Sequence, residues 1–142
     1  MSQQLPNEIY EAVTSLCKTA DELMAQGTID LAREKYKEAL RLLPADHRQW
    51  EASTWIYVAL GDLNFRTDSF ERAFKAYSNA VQCANGLGNP YIHLRRGQSS
   101  FELGDMDRAA DELARAYMGA GLDIFMEDDP KYLEFLETKI EI

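Results

Sequence analysis

The chain has 142 residues, 46% of them hydrophobic, with 24 acidic against 15 basic side chains and a formal net charge of −9. That length and apolar content suffice for one buried core and argue against disorder, while the acidity argues against nucleic acid as a direct partner, because phosphate binding needs a basic patch. No apolar run approaches the roughly 18 residues needed to cross a bilayer, and the opening MSQQLPNEIYEAV lacks the basic and apolar blocks of a secretory leader, so a cytoplasmic location without a membrane partner is the expectation.

Leu5, Ile9, Val13, Leu16, Ala20 and Leu23 recur at helical spacing, which predicts an amphipathic helix from about Asn7 to Gln26. Gly27 ends it, Thr28 caps a second helix through Leu43, and Pro44 forbids continuation. Asp46 with Gln49 has the spacing of a capping box and is expected to lengthen the third helix at its start, leaving Trp50 on one face with Tyr57. Trp50 is expected to pack on the preceding hairpin, with exposed recognition as the alternative. Ser69 caps a fourth helix to about Ala84. In the break NGLGNP, Gly86 and Gly88 supply a flexible backbone, Asn89 caps, and Pro90 suits a first helical position. A fifth helix follows to about Leu103 and a sixth from Asp105 to Met118. Beyond Gly119 and Gly121, Asp129 before Pro130 starts a last short helix whose apolar side, Tyr132, Leu133, Phe135 and Leu136, is expected to cap the stack.

The helices repeat. Aligning Thr28, Ser69 and Asp105 places Ile29, Phe70 and Met106 next, and then Ala32, Ala73 and Ala109 four positions after the cap. Small residues lie eight positions before each cap (Ala20, Gly61, Gly97), alanines eleven after it (Ala39, Ala80, Ala116), and large residues between the alanines (Tyr36, Tyr77, Leu113). Small residues let two helix backbones approach, and the large one fills the adjoining space. This pattern resembles the tetratricopeptide repeat, of 34 residues on two antiparallel helices. The resemblance implies an all-α solenoid of three hairpins, about 13–44, 54–85 and 90–121, with a cap at about 122–142. The family's first-helix tryptophan is replaced by Leu16, Tyr57 and His93, its closing proline survives only as Pro44, and the spacing between units demands insertions after the first and second.

Residues that could carry chemistry have simpler readings. Cys17 and Cys83, far apart on predicted helices, read as reduced, largely buried thiols, with a disulfide as the alternative. The Gly86-x-Gly88 pair follows a helix and lacks the third glycine and lysine of a phosphate loop. Glu127, Asp128 and Asp129 lack the ligand alternation of a calcium loop, so no metal is expected. His93 takes the packing position of Tyr57, His47 has no partner near in sequence, and no nucleophile, base and orienting acid can be assembled. The expectation is a protein without cofactor or catalytic residues.

Recognition remains. In the repeat family the first helices of successive pairs line a concave groove. Carrying that geometry over places Cys17, Asp21 and Met24, then Trp55, Val58, Asp62 and Phe65, then Tyr91, Leu94, Gln98 and Phe101 on it. Chaperone-binding members clamp a C-terminal carboxylate with basic and amide side chains; the corresponding residues here are Cys17, Asp21, Ala59, Tyr91 and Arg95, of which only Arg95 matches, so that ligand is disfavoured. The run from Gly86 to Gly121, followed by DIFMEDDPKYLEFL, is similar to small bacterial tetratricopeptide proteins, some encoded beside polymorphic toxins. This implies an immunity protein that binds and blocks a cognate toxin, with a general scaffold or assembly adaptor as the alternative. In the toxin reading, Glu127, Asp128, Asp129 and Glu134 face outward and steer the tail toward a basic toxin domain.

Overall fold

The computed structural model describes residues 5–142; the first four residues, part of the stretch assessed for a leader, lie outside the described residues. Among the described residues, seven α-helices form three antiparallel hairpins and a short end piece. They are α1 (Asn7–Ala25) with α2 (Ile29–Leu42), α3 (Glu51–Arg66) with α4 (Phe70–Val81), α5 (Pro90–Glu102) with α6 (Met106–Ala120), and α7 (Pro130–Glu137). Each second helix packs on the next first helix, and α7 packs on α6, so the chain is the expected all-α solenoid. Among the described residues no helix is long and apolar enough to cross a membrane.

The size pattern in the sequence is the packing code of the seams. Ala20, Ala32, Ala39, Ala73, Ala80, Ala109 and Ala116 are fully buried. A Cβ added at Gly61 would lie 2.5 Å from Cε1 of Tyr77, and one at Gly97 would lie 2.8 Å from Cγ of Leu113. In the second and third hairpins the small position of the first helix therefore faces the large position of its partner, and glycine is required there for close approach; the first hairpin has Ala20 at that position.

Within each hairpin the turn is set by backbone geometry. Gly27, Asp68 and Gly104 all have left-handed φ, between 61° and 83°. The next residue's N–H then reaches back to close the first helix: Thr28 to the Leu23 carbonyl, Ser69 to Asn64, Asp105 to Ser100. Asp105 also caps with its side chain, accepting from the Arg108 N–H, whereas Thr28 and Ser69 stand at the cap position without a side-chain bond. The expected side-chain caps at Thr28 and Ser69 are thus corrected. Asn89 and Asp129 do cap, each followed by proline at the first helical position.

The first insertion also departs from expectation. Asp46 adopts left-handed φ instead of capping, and His47–Gln49 forms a 3-10 turn, so Trp50 precedes α3 and does not extend it. The carbonyls that a longer helix would need are committed elsewhere: Arg48 accepts from the Ala84 N–H at 2.9 Å, and His47 accepts from the Trp50 N–H at 3.1 Å. Trp50 is buried in the core shared by the first two hairpins, which also holds Tyr36, Leu43 and Ile56. Helix α4 stops at Val81, short of Ala84, because the chain turns so tightly that a Cβ at Gly86 would strike the Ala80 carbonyl at 1.8 Å.

Candidate functional site

The first helices α1, α3 and α5 carry the residues expected to line a groove, and the structure divides them into three zones. In the middle zone Asp21, Met24 and Tyr36 of the first hairpin meet Ala59, Asp62 and Arg66 of α3 around a cleft of about 410 Å³. Here a polar device repeats. The Tyr36 hydroxyl donates to Asp21, and the Tyr77 hydroxyl donates to Asp62 at 2.6 Å, each tyrosine lying 15 positions after its aspartate. Asp62 also accepts from the Tyr91 hydroxyl at 2.9 Å. Burial raises the Asp62 carboxyl above its usual range, against the lowering pull of both tyrosine hydroxyls and of Arg95 and Arg66. Burial, with Tyr77 facing Asp62, pushes the Tyr77 phenol far up, so these hydroxyls stay protonated donors. Cys17, half-buried on the same helix as Asp21, has its thiol pushed up to about 11 by burial and by Asp21. That holds it in the unreactive thiol form.

The third hairpin breaks the device. Its equivalents of aspartate and tyrosine are Gln98 and Leu113, so Gln98 has no hydroxyl to receive. Instead its amide donates to Asp128 of the tail at 2.9 Å, and Arg95 reaches the same carboxylate at 3.5 Å. The tail then covers this zone. Phe101 packs edge-on against Tyr132 and Phe135, with ring centroids 5.4 and 5.3 Å apart, and the Tyr132 hydroxyl donates to Glu102. Leu94 and Gln98 are buried, and Leu94 joins Phe125, Tyr132 and Leu136 in one core. Of the groove residues expected here, Leu94 and Gln98 offer no surface, and Phe101 is shared with the tail. The apolar side of α7 docks as expected. Asp128 does not face outward as expected: Glu127, Asp129 and Glu134 are exposed, but Asp128 turns in to accept from the buried Gln98 amide and to pair with Arg95.

Arg95 is fully engaged. Its guanidinium donates to the Tyr91 hydroxyl and to Gln98, lies 4.9 Å from the Phe65 ring centroid, and pairs with Asp128. The single match to a carboxylate clamp thus already holds a carboxylate from its own chain. At the other end, Trp55 stands apart from Val58 and Asp62, forming an edge-to-face pair with Tyr10 of α1 at 6.3 Å. Tyr10 and the two tyrosine–aspartate pairs were not singled out from the sequence, although the recurrence of Asp-to-Tyr spacing in two units and its loss in the third is visible there.

His93 is a seam residue, as expected. Its Nε2 accepts from the Gly88 N–H at 3.0 Å, so that nitrogen carries no proton, and Nδ1 donates to buried Glu112 at 2.6 Å. Arg96 closes the network, donating to Glu112 at 2.6 Å and to Ser78. Both ring nitrogens are committed, Nε2 to the loop before α5 and Nδ1 to α6. Among the described residues no group of three or more His, Cys, Asp or Glu side chains could hold a metal ion.

No protein-family model matches the chain. Photosystem I assembly protein Ycf3 from Prochlorococcus marinus strain MIT 9303 is 33% identical over 119 residues, covering 73% of this chain and 68% of the relative; the protein of the same name from strain MIT 9313 matches equally. The chain belongs to the tetratricopeptide-repeat family. The fold of this tetratricopeptide-repeat protein agrees with a solved structure, the C-terminal repeat-containing domain of a Plasmodium falciparum FK506-binding protein. The TM-score is 0.69 at 15% identity, over 96% of this chain and 91% of that one.

Proposed function

We propose that this tetratricopeptide-repeat protein is a non-catalytic adaptor that holds a segment of a protein partner in the middle zone of its groove, between α1 and α3. The observation that carries this reading is the contrast between zones: the Asp21–Asp62 cleft is open, whereas the equivalent surface on α5 is closed by the chain's own tail. The cleft has two carboxylates, one exposed arginine and the apolar wall of Met24 and Leu63. That composition suits a segment with apolar anchors and a basic side chain, the charge complement of Asp21 and Asp62. A relative named for an assembly role supports an adaptor over an inhibitor. The toxin-blocking reading draws no support from the relatives. The inward turn of Asp128 also removes one of the four acids on which its steering argument rested.

A photo-crosslinking amino acid placed at position 24 in the full chain, expressed in the native host, tests the reading. A discrete protein adduct is expected from position 24 and none from position 113, which is buried. Loss of the adduct on Asp21→Arg is expected as well. Adducts of equal yield from position 24 and from an exposed position on α6, such as 115, would refute a groove-specific partner.

A further inference from the structure

The first helices share one frame of positions. Two positions before the small residues Gly61 and Gly97 stand Ala59 and Arg95, and 36 positions beyond Arg95, in the first turn of α7, stands Lys131. Four positions after the small residues Ala20, Gly61 and Gly97 stand Met24, Phe65 and Phe101. The fold puts these positions to a common use. Where the third hairpin meets the second, the Arg95 guanidinium lies 4.9 Å from the Phe65 ring centroid and pairs with Asp128 at 3.5 Å. Where the tail meets the third hairpin, the Lys131 ammonium lies 5.9 Å from the Phe101 ring centroid and pairs with Glu102 at 2.5 Å. Each of these junctions holds a long cation beside the large apolar residue of the preceding first helix, with a carboxylate at its head.

The junction between the first two hairpins breaks that rule. Its cation position is Ala59, whose side chain stops at one methyl, and the cleft of about 410 Å³ opens here, with Ala59 and Met24 both on its lining. The carboxylates are in place without the cation. Asp21 and Asp62 line the same cleft, and each takes its tyrosine hydroxyl bonds on a single oxygen, Oδ1. Arg66, also on the lining, draws the Asp62 carboxyl down from a distance, but among the described residues it forms no ion pair with it.

We propose that an arginine side chain of the protein partner completes this junction, entering beside Ala59, lying along Met24 and meeting the carboxylates of Asp21 and Asp62, as Arg95 and Lys131 complete the other two from within the chain. This rests on the groove reading and sharpens it: the partner is recognised through one arginine, and Ala59 is the residue that leaves room for it. The chemistry matches at both ends of that side chain. Its methylene stem suits the apolar wall of Met24 and Leu63, and the planar fork of its guanidinium can serve two carboxylates at once.

The test uses the full chain carrying ¹³C-methyl methionine, with acetyl-arginine N-methylamide as the probe and acetyl-citrulline N-methylamide as its neutral counterpart. The Met24 methyl signal, assigned by its absence from Met24→Leu, should move saturably with the arginine probe, and the citrulline probe should bind about tenfold or more weakly, as expected when a charged hydrogen-bonding group is removed. Ala59→Arg supplies the cation from within the chain. It should abolish the response, melt no lower than the wild type, and lose the photo-crosslinked adduct from position 24; Ala59→Lys should behave alike. A Met24 signal that stays still at high millimolar probe, an equal response to citrulline, or a response kept in Ala59→Arg would overturn the proposal. So would failure of both Ala59 variants to fold, since the space would then not take a cation. If the arginine probe binds as expected and position 24 of the wild type gives no discrete protein adduct, the groove reading falls while the arginine seat stands.

Discussion

Gly61→Ala is the sharpest test of the seam. On helix propensity alone the change should help, by about 1 kcal/mol, because alanine is the better helix former. The structure reverses the sign. The new methyl would lie 2.5, 2.7 and 2.8 Å from three carbons of the Tyr77 ring, which is fully buried. Carbon atoms at rest sit about 3.5–4.0 Å apart, so ring and helix must separate by about 1 Å. Overpacking of that kind costs about 1–3 kcal/mol. Moving the ring also disturbs the 2.6 Å hydrogen bond from Tyr77 to Asp62, about 1 kcal/mol more. The net expectation is a loss of about 1–3 kcal/mol, read as a thermal midpoint lowered by about 3–10 °C for a domain of this size. Thermal melts by circular dichroism, supported by urea titration, measure it. Combining Gly61→Ala with Tyr77→Phe should cost less than the sum of the two, since both remove the same hydrogen bond. A Gly61→Ala protein that melts at or above the wild type would refute the close-approach account of the glycine seams.

Asp62→Asn keeps an acceptor for both tyrosine hydroxyls and removes a partly buried charge. Because the folded carboxyl titrates above its ordinary value of 3.8, the wild type loses stability as pH rises from there through the folded value; the variant should lack that slope and be at least as stable at neutral pH, as melts across the acid range will show. Asp128→Ala strands the buried Gln98 amide and should cost about 1–3 kcal/mol in denaturant titration. Glu134→Ala, an exposed neighbour in the same acidic set, should change little; equal effects would mean that Asp128 does not tie the tail down. Ala73→Leu, at a fully buried seam position, should destabilise by about 1–3 kcal/mol, and an unchanged midpoint would place that alanine outside the packing.

The seams were legible because their information is local in size. Gly61 before Tyr77 and Gly97 before Leu113 state in two residues each that one helix must come close and the other must fill the gap. The last helix was legible for a similar reason, since Asp129, Pro130 and the apolar residues after them carry start and face together. What could not be seen depends on partners distant in sequence. The spacing of Asp46 and Gln49 promised a longer helix, but Ala84 claims the Arg48 carbonyl from the other side of a hairpin. Asp128 looked like one of several solvated acids, yet Gln98, 30 positions earlier, takes its carboxylate. Trp55 was expected on the groove with Val58 and Asp62, whereas its aromatic neighbour Tyr10, separated from it by most of two helices, gave no sign of the pairing.

The exchange of Asp62 and Tyr77 for Gln98 and Leu113 also changes what the outer side of the last hairpin receives. In the first hairpin the aspartate–tyrosine pair closes within its own unit, and in the second Asp62 accepts from Tyr77 and also from Tyr91 of the following hairpin. In the third the polar slot is left open, and the chain's own end plugs it. A further unit added after α6 would have to displace Phe125, Tyr132 and Leu136 from their core and leave Gln98 and Arg95 without the Asp128 carboxylate.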